Sequence, residues 1–110
     1  EMAELLSQVR LWKQIHFAWD DMRIEGSVRR GIETLKRGGV SLHDVTFYVL
    51  IGFNSTPAED LHRVETLRGL GVNPFVMPFN KQDRYQRRFA RWVNHKAIFK
   101  SVAWGEYRAG

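Results

Sequence analysis

The strongest fold signal in the sequence is an apolar run near its centre, which reads Val45-Thr46-Phe47-Tyr48-Val49-Leu50-Ile51-Gly52-Phe53. Nearly every position is apolar, which is typical of a parallel strand that helices cover. The residues after the run indicate a helix start, because Thr56 can cap a helix, Pro57 suits its first turn and Glu59 completes a capping box. The centre of the chain therefore predicts a buried strand followed by a helix.

The pattern of a helix followed by a strand occurs twice. Residues 32–40 read IETLKRGGV and residues 64–72 read VETLRGLGV, and each segment fits the end of an amphipathic helix that glycine terminates. An apolar strand follows each segment, over Val45–Phe53 and over Phe75–Phe79. A helix and a strand that repeat every ~30 residues are typical of parallel α/β folds.

A third strand is predicted before these two, over Ile15–Trp19, with a helix over Met2–Trp12 in front of it. Right-handed crossovers would place about three parallel strands side by side, with helices flanking them. A closed barrel takes eight strands, so we predict an α/β fold that is a partial (half) βα barrel. We expect a single domain over residues 1–110, with βα repeats over residues 14–80 and a basic helical C-terminal segment over residues 81–110.

Such a sheet would be open. Two edges and one face have no cover from the predicted helices, and an unpaired strand edge invites pairing with another chain. We therefore expect either a homo-oligomer or a missing N-terminal half that covers the open sheet edge. The alternative is that the C-terminal helices fold back over the open face.

Composition excludes several kinds of site. The chain has no cysteine, which excludes disulfides, thiolate metal sites and iron–sulfur ligands within it. Its four histidines lack the spacing of a helical metal site, so no metal ligands are predicted. No apolar run approaches the ~20 residues that cross a bilayer, so we expect no membrane partner. The absence of cysteine makes the cytoplasm the expected location.

The run Tyr48–Leu61 reads YVLIGFNSTPAEDL and resembles the fifth strand and following turn of radical S-adenosylmethionine enzymes. Leu50 and Gly52 match the end of the strand in that family. Thr56 matches the turn, and Glu59-Asp60 match the acidic start of the next helix. The match indicates a strand end that faces a cofactor in the family.

Flanking segments carry the same resemblance. Asp21–Val40 is similar to the helix after the fourth strand, Asn73–Pro78 to the sixth strand, and Tyr85–His95 to a bacterial and phage subgroup. The resemblance implies the C-terminal half of such a barrel, with the cluster-binding half absent. It therefore implies a fragment or half-unit that is inactive alone, because cysteine ligands must hold the cluster that generates the radical.

The resemblance also implies that part of a site for S-adenosylmethionine remains at the C-terminal strand ends. The cofactor-binding residues that it implies are Asp20, Asp21, Leu50, Gly52, Val76 and Met77. Structural roles stay open for some of them, because aspartate often caps a helix and glycine often ends a strand in a turn. Ser55 departs from the family pattern, in which many members have Glu.

The C-terminal segment is basic, because residues 81–110 contain eight Lys/Arg and two Asp/Glu. Its arginines alternate with Tyr85, Phe89 and Trp92, which suits a small nucleic-acid-binding or protein-interaction module. The candidate contacts to a substrate or a phosphate are Arg87, Arg88 and Arg91. We favour an amphipathic helix whose aromatic rings pack inside while its arginines face water, because aromatic stripes with helical spacing are usually core.

Overall fold

The computed structural model describes residues 15–107, with side chains from residue 17 onward, so the helix predicted over Met2–Trp12 lies outside the described residues. The strands and α-helices are, in chain order, β1 (Ile15–Ala18), α1 (Glu25–Arg37), β2 (Val45–Ile51), α2 (Pro57–Leu70), β3 (Asn73–Pro78), α3 (Arg84–Asn94) and α4 (Lys96–Ser101). Short 3-10 turns lie at Met22–Ile24, Leu42–Asp44 and Trp104–Glu106.

The three strands form one parallel sheet in the order β1-β2-β3. Phe17 lies beside Phe47 in the first pair, and Val49 lies beside Val76 in the second. The predicted fold class is therefore confirmed: the chain is mixed α/β, with three parallel strands in an open sheet, flanking helices and a C-terminal helical segment.

One face of the sheet is buried under the helices. Alternate residues of β2 point to this face, and Val49 and Ile51 have no exposed surface. Each long helix adds apolar side chains to the same core. The core residues of the three helices are Val28, Ile32 and Leu35 on α1, Val64 and Leu67 on α2, and Phe89, Trp92 and Val93 on α3. Burial of this apolar surface is the main term that favours the fold.

The other face of the sheet is apolar but uncovered by the described helices, and we call it the open face. It consists of Tyr48 and Leu50 on β2 and of Phe75 and Met77 on β3. Phe75 is 43% exposed and Met77 is 38% exposed, which is high for large apolar side chains in a sheet. The rings of Tyr48 and Phe75 meet edge to face with centroids 5.7 Å apart.

The helix ends follow the sequence signals. Thr56 accepts a hydrogen bond from the Glu59 N–H at 3.2 Å, and the Glu59 carboxylate accepts one from the Thr56 N–H at 2.9 Å. Gly39 follows α1 and Gly71 follows α2, with φ angles of 86° and 92°. The capping box and the glycine terminators are thus confirmed. Ile24, four residues before the buried Val28, lies in the 3-10 turn that precedes α1 and is 40% exposed.

Helix α3 packs along β3 and blocks part of the edge of the sheet. The Asn94 side-chain amide donates to the Val76 carbonyl at 3.0 Å and accepts from the Val76 N–H at 2.8 Å. Both backbone groups of Val76 face away from β2, so an amide side chain replaces a neighbouring strand there. No helix within residues 15–107 is long and apolar enough to cross a membrane.

Candidate ligand-binding rim at the strand ends

The carboxyl ends of the three strands meet at one edge of the sheet, where parallel α/β folds place their ligand sites. We call this edge the rim, and it consists of Trp19–Asp21, Gly52–Ser55 and Phe79–Asn80. Backbone hydrogen bonds extend the sheet into it. The Trp19 N–H donates to the Tyr48 carbonyl at 2.8 Å, and the Phe79 N–H donates to the Ile51 carbonyl at 2.9 Å.

The two aspartates after β1 have different environments. Asp21 caps the 3-10 turn by accepting from the Arg23 N–H at 2.8 Å, and its carboxylate also pairs with the Arg23 guanidinium at 2.7 Å. These hydrogen bonds lower the pKa of Asp21 to about 2. Asp20 is exposed and accepts from the Leu50 N–H at 3.2 Å, which joins β1 to β2. Asp21 therefore caps the turn, and Asp20 presents the freer carboxylate.

Gly52 has a left-handed conformation, with φ of 84°, and its α-carbon faces the side chain of Gln86. A Cβ atom at this position would lie 2.1 Å from the Gln86 Cδ. Gln86 is held there because its Oε1 accepts from the Asn80 N–H at 2.8 Å. The close approach that requires glycine is thus made by another part of the chain. Contact between Gly52 and a cofactor stays a prediction.

The remaining predicted cofactor residues lie on β2 and β3. The Leu50 carbonyl accepts from the Arg63 guanidinium at 2.9 Å, and both backbone groups of Val76 bond to Asn94. These backbone groups already have partners. The side chains of Leu50 and Met77 lie on the open face, and Met77 is the more exposed of the two. The side chains of these two residues are therefore accessible to a ligand.

An exposed aromatic pair lies at the rim and was not predicted. Phe53 and Phe79 are 65% and 61% exposed, and their ring centroids are 5.1 Å apart. Phe79 directly follows β3, and Phe53 follows β2 after one intervening residue, Gly52. These positions after the strands are the sequence signal that could have identified the pair. Exposed rings at the mouth of a strand-end site offer a flat apolar surface to a planar ligand group.

A buried ion pair on α2 forms hydrogen bonds with the strand ends beside the rim. Arg63 and Asp60 on α2 are 0% and 1% exposed, and their side chains meet at 2.9 Å. The Arg63 guanidinium also donates to the Trp19 carbonyl at 2.8 Å. Together with its bond to Leu50, this contact ties the ends of β1 and β2 to α2. A buried charge of this kind is tolerated because several hydrogen bonds compensate its desolvation.

Tyr85 connects the same network to α3. Its hydroxyl donates to one carboxylate oxygen of Asp60 at 2.7 Å, while the Ser55 hydroxyl donates to the other at 2.5 Å. Burial and the hydrogen bond to Asp60 raise the pKa of Tyr85 far above its usual value. The neighbouring His62 lies outside this network and contacts Glu25 at 2.8 Å. The network fixes the positions of the strand ends.

The basic helix α3 presents its arginines and aromatic rings to different environments. Phe89 and Trp92 are fully buried, as expected for an amphipathic helix whose aromatics pack inside. Arg87 and Arg91 are exposed, whereas Arg88 donates to the Tyr107 carbonyl at 2.9 Å. The buried rings are not available to stack on bases. Phosphate contact by the exposed arginines stays a prediction.

These features define the chain as a three-stranded parallel α/β unit with an open apolar face and a polar and aromatic rim. Within residues 15–107 no group of three His, Cys, Asp or Glu side chains is placed to hold a metal ion. No protein family, curated protein or solved structure matches the chain.

Proposed function

We propose that the chain is a half-unit of a parallel α/β barrel and binds another βα unit through its open face. The observation that carries this proposal is the exposure of Phe75 and Met77 on β3, on either side of the buried Val76. In a closed barrel, side chains on this face of the strands form the packed interior. An exposed apolar surface of this kind favours association. When no complementary unit is present, the unit bound is a second copy of the chain.

The class of barrel that we propose is that of the radical S-adenosylmethionine enzymes. The run Tyr48–Leu61 supports it, because the matching residues occupy a strand end, a turn and a capped helix start. The chain has no cysteine and so cannot hold an iron–sulfur cluster itself. In this proposal the chain is not catalytic alone, and the complementary half supplies the cluster.

For S-adenosylmethionine itself we propose a partial site at the rim. Asp20 is exposed and suited to accept hydrogen bonds from ribose hydroxyls. The Phe53 and Phe79 rings suit a planar base, and Leu50 and Met77 line the adjoining open face. The bound cofactor would supply the sulfonium group whose reduction starts radical chemistry. The residues of this chain would hold and orient its adenosyl part.

Isothermal titration calorimetry with S-adenosylmethionine and S-adenosylhomocysteine tests the rim site. We expect weak binding, with a Kd between about 10 μM and 1 mM. The double variant Phe53→Ala/Phe79→Ala should raise the Kd at least about tenfold, which corresponds to the loss of roughly one ring contact. Ile24→Ala truncates a partly exposed apolar side chain outside the rim and should leave the Kd unchanged. Absence of heat at millimolar ligand would reject the cofactor site but would leave the half-barrel proposal intact.

A second candidate function is nucleic-acid binding through α3. Arg87 and Arg91 favour it, since they are exposed and lie one helical turn apart. Fluorescence anisotropy with single-stranded oligonucleotides at two salt concentrations tests this function. Affinity that falls steeply with salt, and that Arg87→Ala/Arg91→Ala abolishes, would support phosphate binding. Absent or salt-independent affinity would reject it.

A further inference from the structure

Two adjoining cavities lie at the amino-terminal end of β3, at the opposite end of the strands from the rim. The first has a volume of about 210 Å³ and the second about 230 Å³. Asn73, Pro74 and Lys96 line both cavities, which are therefore adjacent. Each cavity far exceeds the ~15 Å³ that is needed to hold one water molecule.

The first cavity is basic. Its charged wall consists of Arg68 from α2 and of Lys96 and Lys100 from α4, and no carboxylate is among its lining residues. The guanidinium of Arg68 is held in place because it donates to the Phe99 carbonyl at 3.0 Å and pairs with Glu65. The first cavity therefore has one anchored guanidinium, whose charge Glu65 balances, beside two lysines from another helix.

The two lysines are the strongest indication of an anionic ligand. Lys96 and Lys100 lie one helical turn apart on α4, and like charges at this spacing repel each other. Both are exposed, and neither forms an ion pair with another described residue. A dianion between them would remove the repulsion and accept hydrogen bonds from both ammonium groups.

The second cavity is aromatic. Tyr48 and Phe75 line it, and their rings stand at 83° to each other with centroids 5.7 Å apart. Thr46 and Asn94 complete its wall, and the Asn94 amide is fixed by its two hydrogen bonds to Val76. An aromatic ring would find edge and face contacts here that the basic cavity does not offer.

We propose that the two cavities together bind a phosphate monoester that carries an aromatic ring. The phosphate lies between Lys96 and Lys100 beside Arg68, and the ring lies against Tyr48 and Phe75. This site goes beyond the proposed function: it shares no residue with the rim and overlaps the open face only at Tyr48 and Phe75. Because Tyr48 and Phe75 also belong to the open face, a bound ligand would compete with a second copy of the chain there.

The direct test is a titration of the dilute full chain with phenyl phosphate. Calorimetry measures the affinity, and the amide chemical shifts of Asn73 and Lys96 report the place of binding. Inorganic phosphate and phenol, each titrated alone, are the comparison ligands, since each represents one part of phenyl phosphate. We expect phenyl phosphate to bind at least about tenfold more tightly than either part, because both cavities are then filled at once. The shifts should localise to the two cavities.

Charge variants make the test specific. Lys96→Ala/Lys100→Ala should weaken phenyl phosphate binding at least about tenfold, since both ammonium contacts are lost. Lys36→Ala/Lys81→Ala removes the same charge from exposed sites outside the cavities and should change the affinity less than about twofold. Equal losses in the two double variants, or equal affinities for phenyl phosphate and inorganic phosphate, would overturn the proposal.

Discussion

The side-chain amide of Gln86 on α3 occupies the space beside Gly52 where a Cβ atom would lie. The ideal Cβ position is 2.1 Å from the Gln86 Cδ, and Gly52 also has a φ of 84°. Two independent causes therefore require glycine at the end of β2. Both are internal to the fold, and the contact of Gln86 with Gly52 joins α3 to the rim.

Gly52→Ala should lower the free energy of unfolding by about 2–4 kcal/mol, because backbone strain and steric overlap add. Gly39→Ala is the matched control, since Gly39 has a φ of 86° but no atom within contact distance of its Cβ position. It should cost only about 1–2 kcal/mol. Urea denaturation measures both.

Truncation of the Gln86 side chain separates the steric overlap from the backbone strain. Gln86→Ala in the Gly52→Ala background should recover part of the lost stability, because only the backbone strain then remains. A double-mutant cycle with no coupling between the two positions would contradict the overlap.

Asn94→Ala should lower the free energy of unfolding by about 1–3 kcal/mol, because both backbone groups of Val76 lose their partner. Hydrogen exchange at the Val76 amide should become faster. Asn54→Ala changes an exposed amide in the loop after β2 and should have almost no effect. Unchanged exchange at Val76 in the Asn94 variant would contradict the role of this side chain at the edge.

Arg63→Met should lower the free energy of unfolding by about 3–5 kcal/mol, because it leaves the carboxylate of Asp60 buried without its cation. Arg37→Met is the control, since Arg37 makes an exposed pair with Glu33 and surface pairs are worth about 0–1 kcal/mol. Chemical denaturation compares the two variants. A loss in Arg63→Met no larger than in Arg37→Met would show that the buried pair does not stabilise the rim.

The pH dependence of stability should report on Tyr85. Its pKa is raised in the folded chain above the usual value of 10.0, mainly by burial. Above about pH 10 the unfolded chain ionises this hydroxyl while the folded chain does not, so the free energy of unfolding falls as pH rises. Tyr85→Phe should remove that part of the slope. Identical slopes for the two proteins between pH 9 and about 11 would contradict the raised pKa.

The strands and helix ends were predictable because their causes are local. The apolar run of β2 and the capping box at Thr56 are readable in a few consecutive residues, and the positive φ of Gly71 follows from its place after a helix. Each of these elements follows from backbone preferences and from side-chain periodicity.

The contacts that shape the rim were not predictable, because they join residues far apart in sequence. An arginine in the middle of a helix suggests a solvated side chain, yet Arg63 is buried because the Trp19 carbonyl and Asp60 lie beside it in the fold. Gln86 and Asn94 likewise acquire their roles only when α3 packs against the sheet. Local sequence patterns do not record such partners.

The most direct test of the half-barrel proposal is sedimentation velocity of the chain over a series of concentrations. We expect the wild-type chain to self-associate with a Kd below about 1 mM. Phe75→Lys/Met77→Glu leaves the net charge unchanged and should give a monomer, whereas Ile24→Lys, at an exposed apolar site outside the open face, should associate like the wild type. A wild-type chain that stays monomeric up to about 1 mM, or a double variant that associates as strongly, would contradict the proposal that the open face binds another βα unit.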